Sequence, residues 1–265
     1  MYAIEVFLIK IILHCYFLKT VAVGTGYSFE TTCVCTQASP NGTFCWAYKC
    51  RSDQITTCFS SHSTVEIKLT KERISMNNLK IGDEILVDIN NYNQRIYEPI
   101  YSFIHASPNG LYDYLKISVE NISEQSLIIS SNHLIYRINE KNPIFAGHLK
   151  IGDQLQVITK DGYKQAGSII NIQLIKSQGF YAPLTLSGKL VVDGIVVSNY
   201  ATVANHHLAH LSMQPYRWWI QWIGLSSYSD SIHWYCQWLY HIVEQINKWI
   251  CSIELYDGYF TVSNF

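Results

Sequence analysis

The chain has 265 residues, of which 48% are hydrophobic and 14% aromatic, enough for one sizeable domain with small appendages. Its charge is balanced, with 19 lysines and arginines against 20 aspartates and glutamates and no long block of either sign. Because proteins that bind nucleic acid need clustered cations, the composition argues against nucleic acid as a partner.

The first 24 residues have the pattern of a secretory signal peptide. Residues 6–18 are mostly apolar, and residues 22–24 form a small-x-small sequence typical of a cleavage site. Lys10 interrupts the apolar stretch and no basic residue precedes it, so a buried strand or an uncleaved anchor is the alternative. The pattern predicts entry into the endoplasmic reticulum and a secreted, extracellular product.

Residues 25–57 form a short cysteine-rich segment that is too small to bury a core without covalent cross-links. It carries the glycosylation acceptor Asn41 in the sequence Asn-Gly-Thr. Four cysteines in a short secreted segment predict two disulfides in one of three pairings. A zinc site is the alternative, although C-x-C with C-x4-C is a poor ligand spacing and no histidine lies nearby. The four cysteines are Cys33, Cys35, Cys45 and Cys50.

Residues 58–204 are typical of an all-β domain. Short runs rich in Val, Ile, Leu and Tyr, such as EILVDI and KLVVDGIVVS, alternate with Gly, Asn and Asp. The pentapeptide LKIGD occurs twice, at residues 79–83 and 149–153. One copy would indicate only a turn, but each is followed by a strand-like run, a polar turn and a second apolar run. This shared context predicts a duplicated β unit with a period too long for a solenoid.

Two places in this β region carry side chains suited to catalysis. Cys58 opens the region, and its thiol is a candidate nucleophile, a small core residue or a disulfide partner. Farther along, a predicted strand ends in Ser130-Ser131-Asn132-His133, a spacing that can direct Ser130 and His133 towards one point. A single histidine at a strand end is more often structural than catalytic, so both interpretations of His133 are open.

Beyond residue 204 the pattern becomes helical and aromatic, since six of the seven tryptophans lie after residue 217. PYRWWIQWIGL predicts a short helix. A second, amphipathic helix is predicted within residues 232–250, whose many polar side chains exclude a transmembrane span. These helices either pack on the β domain as core or also contact a lipid, a sterol or a membrane surface. The predicted aromatic stripe is Trp234, Trp238, Ile242, Gln245 and Trp249.

Taken in order, several motifs resemble the C-terminal autoprocessing domain of hedgehog proteins, whose Hint fold is shared with inteins. The motifs are CFS at residue 58, LKIGD, Ser-x-x-His-Leu, GFYAPLTLSGKLVVDGIVVSNYA and HHLAH. The resemblance continues into SIHWYCQWLYHI, which is similar to the sterol-recognition tail of hedgehog chains. It implies a mainly β Hint fold with pseudo-two-fold duplicated β units, in which the LKIGD copies are equivalent turns, followed by a small helical region at residues 205–265.

The resemblance also implies a self-cleavage that needs neither a metal nor a soluble cofactor. Cys58 would attack the carbonyl of Thr57 and convert the amide to a thioester, an N-to-S acyl shift. His133 would protonate the departing amine, a task suited to an imidazole pKa near 6.5. Ser130, where hedgehog has Thr, would orient His133 and polarise the amide. In hedgehog a cholesterol hydroxyl then attacks the thioester with the help of an Asp.

The sequence departs from the hedgehog pattern at three positions. His105 stands at the place of that Asp, either as a neutral base or as a surface-loop residue, so the acceptor is cholesterol, another sterol, another lipid alcohol or water. Asn199 stands where hedgehog has Cys and inteins a terminal Asn, but its neighbours Ser198 and Tyr200 do not fit splicing. Thr57 replaces Gly before the nucleophile, and its β-branch slows attack on its own carbonyl by crowding.

The sequence therefore predicts a secreted precursor whose Hint domain, residues 58–204, passes residues 25–57 to a hydroxyl acceptor or to water in a single turnover. A different N-terminal product from that of hedgehog is expected, and its receptor is unknown. The alternative is an inert, disulfide-rich binding protein that retains a Hint fold, which Thr57 and His105 favour. The joint presence of Cys58, Ser130 and His133 favours activity.

Overall fold

A computed structural model describes residues 32–40, 45–51, 58–120, 126–159, 161–201, 205–223 and 259–263. The predicted signal peptide, Asn41, Thr57 and the predicted aromatic helix of residues 232–250 lie outside the described residues.

Strands dominate the described ranges, which confirms the prediction of a mainly β fold. The N-terminal half contains β1 (Thr32–Ala38), β2 (Cys45–Arg51), β3 (Thr64–Glu66), β4 (Arg73–Ser75), β5 (Glu84–Ile89), β6 (Arg95–Pro99), β7 (Ser102–Val119) and β8 (Leu127–Ile129). The remainder contains β9 (His133–Ile135), β10 (Ile144–Phe145), β11 (Gln154–Ile158), β12 (Lys164–Leu184), β13 (Lys189–Val192), β14 (Ile195–Ala201) and β15 (Tyr259–Ser263).

The largest sheet has 11 strands, with the order β1-β2-β15-β12-β11-β14-β9-β10 and with β13, β7 and β8 attached at its sides. Its long members β7 and β12 pair antiparallel from Ile169↔Val119 to Leu184↔Ser102, with register shifts that mark bulges. Bulges bend a strand, so the two long strands curve around one apolar core. Fully buried residues from several strands meet there, among them Phe59, Ile117, Ile129, Leu155 and Val197.

The first LKIGD copy forms a closed turn between a single 3-10 turn at Met76–Asn78 and β5. The Lys80 N–H donates to the Asp83 carboxylate (2.8 Å), and the Asp83 N–H donates to the Lys80 carbonyl (3.2 Å). The Gly82 N–H donates to the Ile100 carbonyl (2.8 Å), and the Ile100 N–H donates to the Asp83 carbonyl (2.9 Å). Gly82 has φ 95°, a conformation that strongly favours glycine.

The second copy repeats each of these bonds after a 3-10 turn at Ala146–His148. The Lys150 N–H donates to the Asp153 carboxylate (2.9 Å), and the Asp153 N–H donates to the Lys150 carbonyl (3.1 Å). Gly152, with φ 89°, donates to Ile169 (2.9 Å), which donates back to Asp153 (2.9 Å). The two copies are therefore one structural unit used twice, as the sequence predicted.

The N-terminal hairpin of β1 and β2 contains the two disulfides that the sequence predicted. They join Cys33 to Cys50 and Cys35 to Cys45, which selects one of the three pairings. The zinc alternative for these four residues is therefore wrong.

Two short helices, α1 (His206–Ser212) and α2 (Gln214–Ile223), follow the β domain, and α2 confirms the helix predicted from PYRWWIQWIGL. Ala209, Tyr216 and Ile220 of these helices, with Met213 between them, form a buried cluster with residues of the β domain. In the described ranges, no helix has the length and apolarity needed to cross a membrane.

Candidate active site

Cys58 is buried in the β domain, and the backbone of the next residue, Phe59, bridges to two strands. The Phe59 N–H and carbonyl exchange two hydrogen bonds of 2.9 Å with Tyr181, and Phe59 also bridges to Ile129. Cys58 is 1% exposed and is a thiol rather than half of a disulfide. The alternative interpretation required Cys58 to form a structural disulfide, and the structure contradicts it on this point.

Ser130 follows β8 directly and contacts the backbone of Cys58 from both sides. The Cys58 N–H donates to the Ser130 hydroxyl oxygen (3.2 Å), and the Ser130 N–H donates to the Cys58 carbonyl (3.3 Å). Both residues are 1% exposed. The nitrogen that Ser130 holds is the nitrogen of the predicted scissile bond.

His133 begins β9 and is completely buried. Its Nε2 lies 2.8 Å from the Ser198 carbonyl oxygen, which can only accept, so Nε2 carries the proton of the neutral ring. Its Nδ1 is then unprotonated, and it makes no hydrogen bond within the described part of the chain. The ring packs at 4.3 Å from the ring of Phe59, and the His133 N–H donates to the Ser130 carbonyl (3.1 Å). The structure thus brings Ser130 and His133 together beside Cys58.

The protonation state of His133 is determined by its burial. Burial lowers its pKa to about 4, although the hydrogen bond to Ser198 acts in the opposite direction. The pKa of His133 therefore lies below the ordinary imidazole value of about 6.5, and His133 is neutral at pH 7. Neutral His133 must therefore accept a proton at Nδ1 before it can protonate a leaving amine.

His206 supports Ser198 and was not identified from the sequence, where HHLAH served only as a motif of the resemblance. The Tyr200 N–H donates to the Ser198 hydroxyl oxygen (2.9 Å), and His206 Nδ1 lies 2.9 Å from the same oxygen. Because Ser198 is buried, its hydroxyl proton needs an acceptor, which is His206 Nδ1. Burial, and then neighbouring His210, lowers the pKa of His206 to about 4, so the ring stays a neutral acceptor.

Two tyrosines of β7 near Cys58 were also not identified. The Tyr114 hydroxyl donates to the Gly179 carbonyl (2.7 Å) and lies 3.4 Å from the Phe59 carbonyl oxygen. Burial raises the pKa of Tyr112 and of Tyr114, and a negative charge on Cys58 raises both further. Both phenols are therefore protonated donors in the surroundings of the thiol.

His105 lies in β7 and is only 8% exposed, so the surface-loop interpretation is wrong. Its ring contacts Phe180 edge-on at 5.4 Å, and Phe180 contacts Tyr112 in the same way at 4.9 Å. Burial lowers the pKa of His105 to about 4, which makes it neutral at pH 7. Its side chain thus joins the aromatic surroundings of Cys58 through Phe180, without a hydrogen bond to Cys58, Ser130 or His133 in the described residues.

Asn199 has a structural environment. It is 2% exposed, and its amide nitrogen donates to the Thr185 carbonyl (3.3 Å) and to the Thr185 hydroxyl (3.1 Å). Its backbone N–H donates to the Gly188 carbonyl (2.9 Å). These bonds connect β14 to the turn before β13.

Among the described residues, no group of three or more His, Cys, Asp or Glu could hold a metal ion.

Comparison with known proteins places most of the chain in one family. The family model of the Hint module matches residues 47–248. The Indian hedgehog protein of Gallus gallus is 27% identical over 154 residues, which cover 55% of this chain and 38% of that protein. The Tiggy-winkle hedgehog protein of Danio rerio is 27% identical over 201 residues, 70% of this chain and 47% of the relative. The chain thus spans less than half the length of these relatives.

Solved intein structures are also similar to the chain. The gp41-1 intein has a TM-score of 0.40 and 17% identity, covering 53% of this chain and 97% of its own. A DnaB intein from Synechocystis has a TM-score of 0.44 and 15% identity, covering 55% of this chain and 99% of its own.

Proposed function

The chain belongs to the Hint family, with a module related to that of hedgehog proteins, and on this premise we propose that it cleaves itself once at Thr57–Cys58. One observation carries the proposal. The amide nitrogen of Cys58 donates to Ser130, beside a buried imidazole whose Nδ1 is unprotonated and without a hydrogen bond in the described chain. A thiol, a held leaving-group nitrogen and a base are the parts that an N-to-S acyl shift needs.

In the first step, the proton of the Cys58 thiol moves to Nδ1 of His133, and the thiolate attacks the carbonyl carbon of Thr57. The C–N bond then breaks, and the proton on Nδ1 passes to the departing nitrogen, which becomes the new amino terminus of Cys58. An imidazolium with a pKa of about 4 is a strong acid for this purpose, so a neutral resting His133 suits the second proton transfer. The acyl group ends on Sγ as a thioester.

Ser130 acts on the leaving nitrogen in this scheme. Its hydroxyl oxygen accepts the Cys58 N–H, and its own N–H holds the Cys58 carbonyl. These two bonds keep the nitrogen at one position while its partner carbon changes geometry. Positioning of this kind lowers a barrier without any charge on Ser130.

In the second step, a hydroxyl compound attacks the thioester, and His105 is the proposed base. A neutral imidazole at pH 7 can take a hydroxyl proton, although it lacks the fixed negative charge of a carboxylate. The acceptor is a sterol, another lipid alcohol or water. The predicted aromatic helix that would hold a lipid acceptor lies outside the described residues.

Secretion is part of the proposal. The two disulfides of the hairpin support it, because such bonds form and persist in oxidising compartments.

The test uses purified full-length chain treated with hydroxylamine, which cleaves a thioester without any natural acceptor, followed by intact-mass measurement. We expect an N-terminal fragment ending at Thr57 from the native chain and none from Cys58→Ala. Ser130→Ala should slow its appearance, whereas Ser131→Ala, at a neighbouring half-buried serine, should not. An uncleaved native chain in hydroxylamine would leave the inert binding protein as the better description. The mass of the fragment secreted by cells then identifies the acceptor.

A further inference from the structure

The N-terminal hairpin joins the main sheet through the C-terminal strand of the same chain. β2 pairs with β15 over five residue pairs, from Tyr259↔Arg51 to Ser263↔Ala47. On its other side β15 pairs with β12 at Ile172↔Ser263. In the described chain, β15 therefore lies between the hairpin and the strands that surround Cys58.

Both faces of β15 contact their surroundings. On its exposed face, the ring of Tyr259 lies 4.5 Å from Lys49 Nζ and 5.6 Å from the guanidinium of Arg51, which are cation–π contacts with β2. On the opposite face, Phe260 is 3% exposed and belongs to the same buried cluster as Cys50 of β2. The pairing of β2 with β15 thus combines a hydrogen-bonded ladder, two cation–π contacts and apolar burial.

The disulfides do not tie the hairpin to the rest of the molecule. All four cysteines of the hairpin are used in its own two bonds, Cys33–Cys50 and Cys35–Cys45. The covalent connection from the hairpin to Cys58 is therefore the main chain through residues 52–57. Cleavage after Thr57 cuts that connection and leaves the non-covalent pairing with β15 intact.

We propose that β15 is a product-binding strand, so that the N-terminal fragment stays bound to the processing domain after cleavage as an added strand. This inference rests on the proposed cleavage at Thr57–Cys58. Strand addition supplies main-chain hydrogen bonds, and a departing hairpin would leave the edge of β15 unpaired and Phe260 uncovered. Release of the fragment then requires a second event, the separation of β2 from β15.

Cleavage changes this contact from an intramolecular to a bimolecular one. Before cleavage the linking chain keeps the hairpin at an effective concentration in the millimolar range. After cleavage the fraction of fragment that stays bound depends on the dissociation constant of the two pieces. The pairing is therefore tested at a known concentration, about 10 µM, where a dissociation constant in the low micromolar range or below keeps most of the fragment bound.

The experiment compares denaturing and native separations of the same cleaved full-length protein. Denaturing mass analysis should show two polypeptides, and native size exclusion should show one species that contains both. A free N-terminal fragment in the native separation would overturn the inference and leave the proposed cleavage standing. An uncleaved chain would instead count against the proposed cleavage.

The inference is testable without self-cleavage as well. In a Cys58→Ala chain, residues 52–57 are replaced by the recognition sequence of a site-specific protease, and the hairpin is cut free by that protease. Co-elution of the two pieces is expected here too, and their separation would overturn the inference.

Variants of β15 locate the contact. Thr261 pairs with Lys49 in the middle of the ladder and is exposed, so Thr261→Pro, which interrupts an extended strand, should make the fragment elute free. Thr261→Val keeps the N–H and should behave as the native chain. Tyr259→Ala should raise the dissociation constant roughly twofold to fivefold through the lost cation–π contacts. An unchanged rate of cleavage in hydroxylamine checks that each variant is folded, and co-elution in Thr261→Pro would overturn the role of β15.

Discussion

The neutral state of His133 follows from its position. Protonation of a fully buried imidazole without a counter-charge is energetically unfavourable, and the hydrogen bond to the Ser198 carbonyl offsets only part of this cost. The same carbonyl fixes the proton on Nε2, which leaves Nδ1 as the atom for proton transfer. One backbone acceptor therefore selects both the tautomer and the reactive nitrogen.

His206 should influence the first step through Ser198. His206→Ala removes the acceptor of the Ser198 hydroxyl. This change loosens the strand whose carbonyl orients His133. We therefore expect thioester formation to slow roughly fivefold, which corresponds to the loss of one neutral hydrogen bond. The rate is measured as hydroxylamine-dependent cleavage. His206→Asn offers an amide oxygen near the position of Nδ1 and should restore most of the rate.

His207→Ala is the matched control for this prediction, because His207 is the exposed neighbour on the same helix. A native rate in His206→Ala, or an equal loss in His207→Ala, would contradict a positioning role for His206.

At the scale of elements, Gly152 in the second LKIGD turn allows the loss of stability caused by a positive φ to be measured on its own. Gly152 has φ 89°, and a Cβ built on it would meet no atom within 4 Å. Gly152→Ala therefore adds backbone strain alone, and the free energy of unfolding should fall by about 1–2 kcal/mol. Urea denaturation of the two proteins measures this difference.

Gly167→Ala provides the contrast. Its φ is not positive, but a Cβ there would lie 2.6 Å from side-chain atoms of Val119 and Val157. Its loss of stability is steric and should exceed that of Gly152→Ala. A Gly152→Ala chain as stable as the native one would contradict the strained turn.

Local chemistry made some elements predictable. The LKIGD turns need only a glycine, an aspartate and a following apolar run, and the two disulfides need only four cysteines in a short segment. Non-local pairing decided the rest. The disulfide partners follow from the Cys33↔Cys50 register, which no local pattern encodes. His105 precedes a turn-like Ser-Pro-Asn-Gly, yet the long pairing of β7 with β12 continues past it, because the register shift between Gln178 and Phe180 absorbs the extra residues.

The residues of the candidate site also fall into two groups, those that the sequence predicted and those that only tertiary packing brings to the site. Cys58, Ser130 and His133 were predicted as a group from motif order, and the structure brings them together. His206 and Tyr114 reach the site through tertiary packing of α1 and β7, so no spacing in the sequence points to them. The pKa of His133 depends on complete burial, which residue type alone does not reveal. The insertion of β15 beside β2 joins segments more than 200 residues apart and was not foreseen.

At the scale of the whole molecule, buried neutral histidines make stability depend on pH. Burial is the main cause that lowers the pKa of four histidines to about 4, below the unfolded value of about 6.5; they are His105, His133, His206 and His210. Between these values the unfolded chain binds more protons than the folded one, so the stabilisation is complete above pH 6.5 and is lost as the pH falls towards 4. Each histidine contributes a slope of up to about 1.4 kcal/mol per pH unit. Asp193, whose pKa burial raises, acts in the opposite direction at the acidic end.

We therefore expect the free energy of unfolding to be constant between about pH 7 and 8 and to fall steeply between about pH 6 and 5. His105→Phe removes one of these four titrations while it keeps a ring against Phe180, so the slope in the acidic window should decrease by about 1.4 kcal/mol per pH unit. Urea denaturation at closely spaced pH values measures both slopes. An equal slope in the two proteins would mean that His105 takes up a proton in the folded state as readily as in the unfolded one, and it would contradict the lowered pKa of His105.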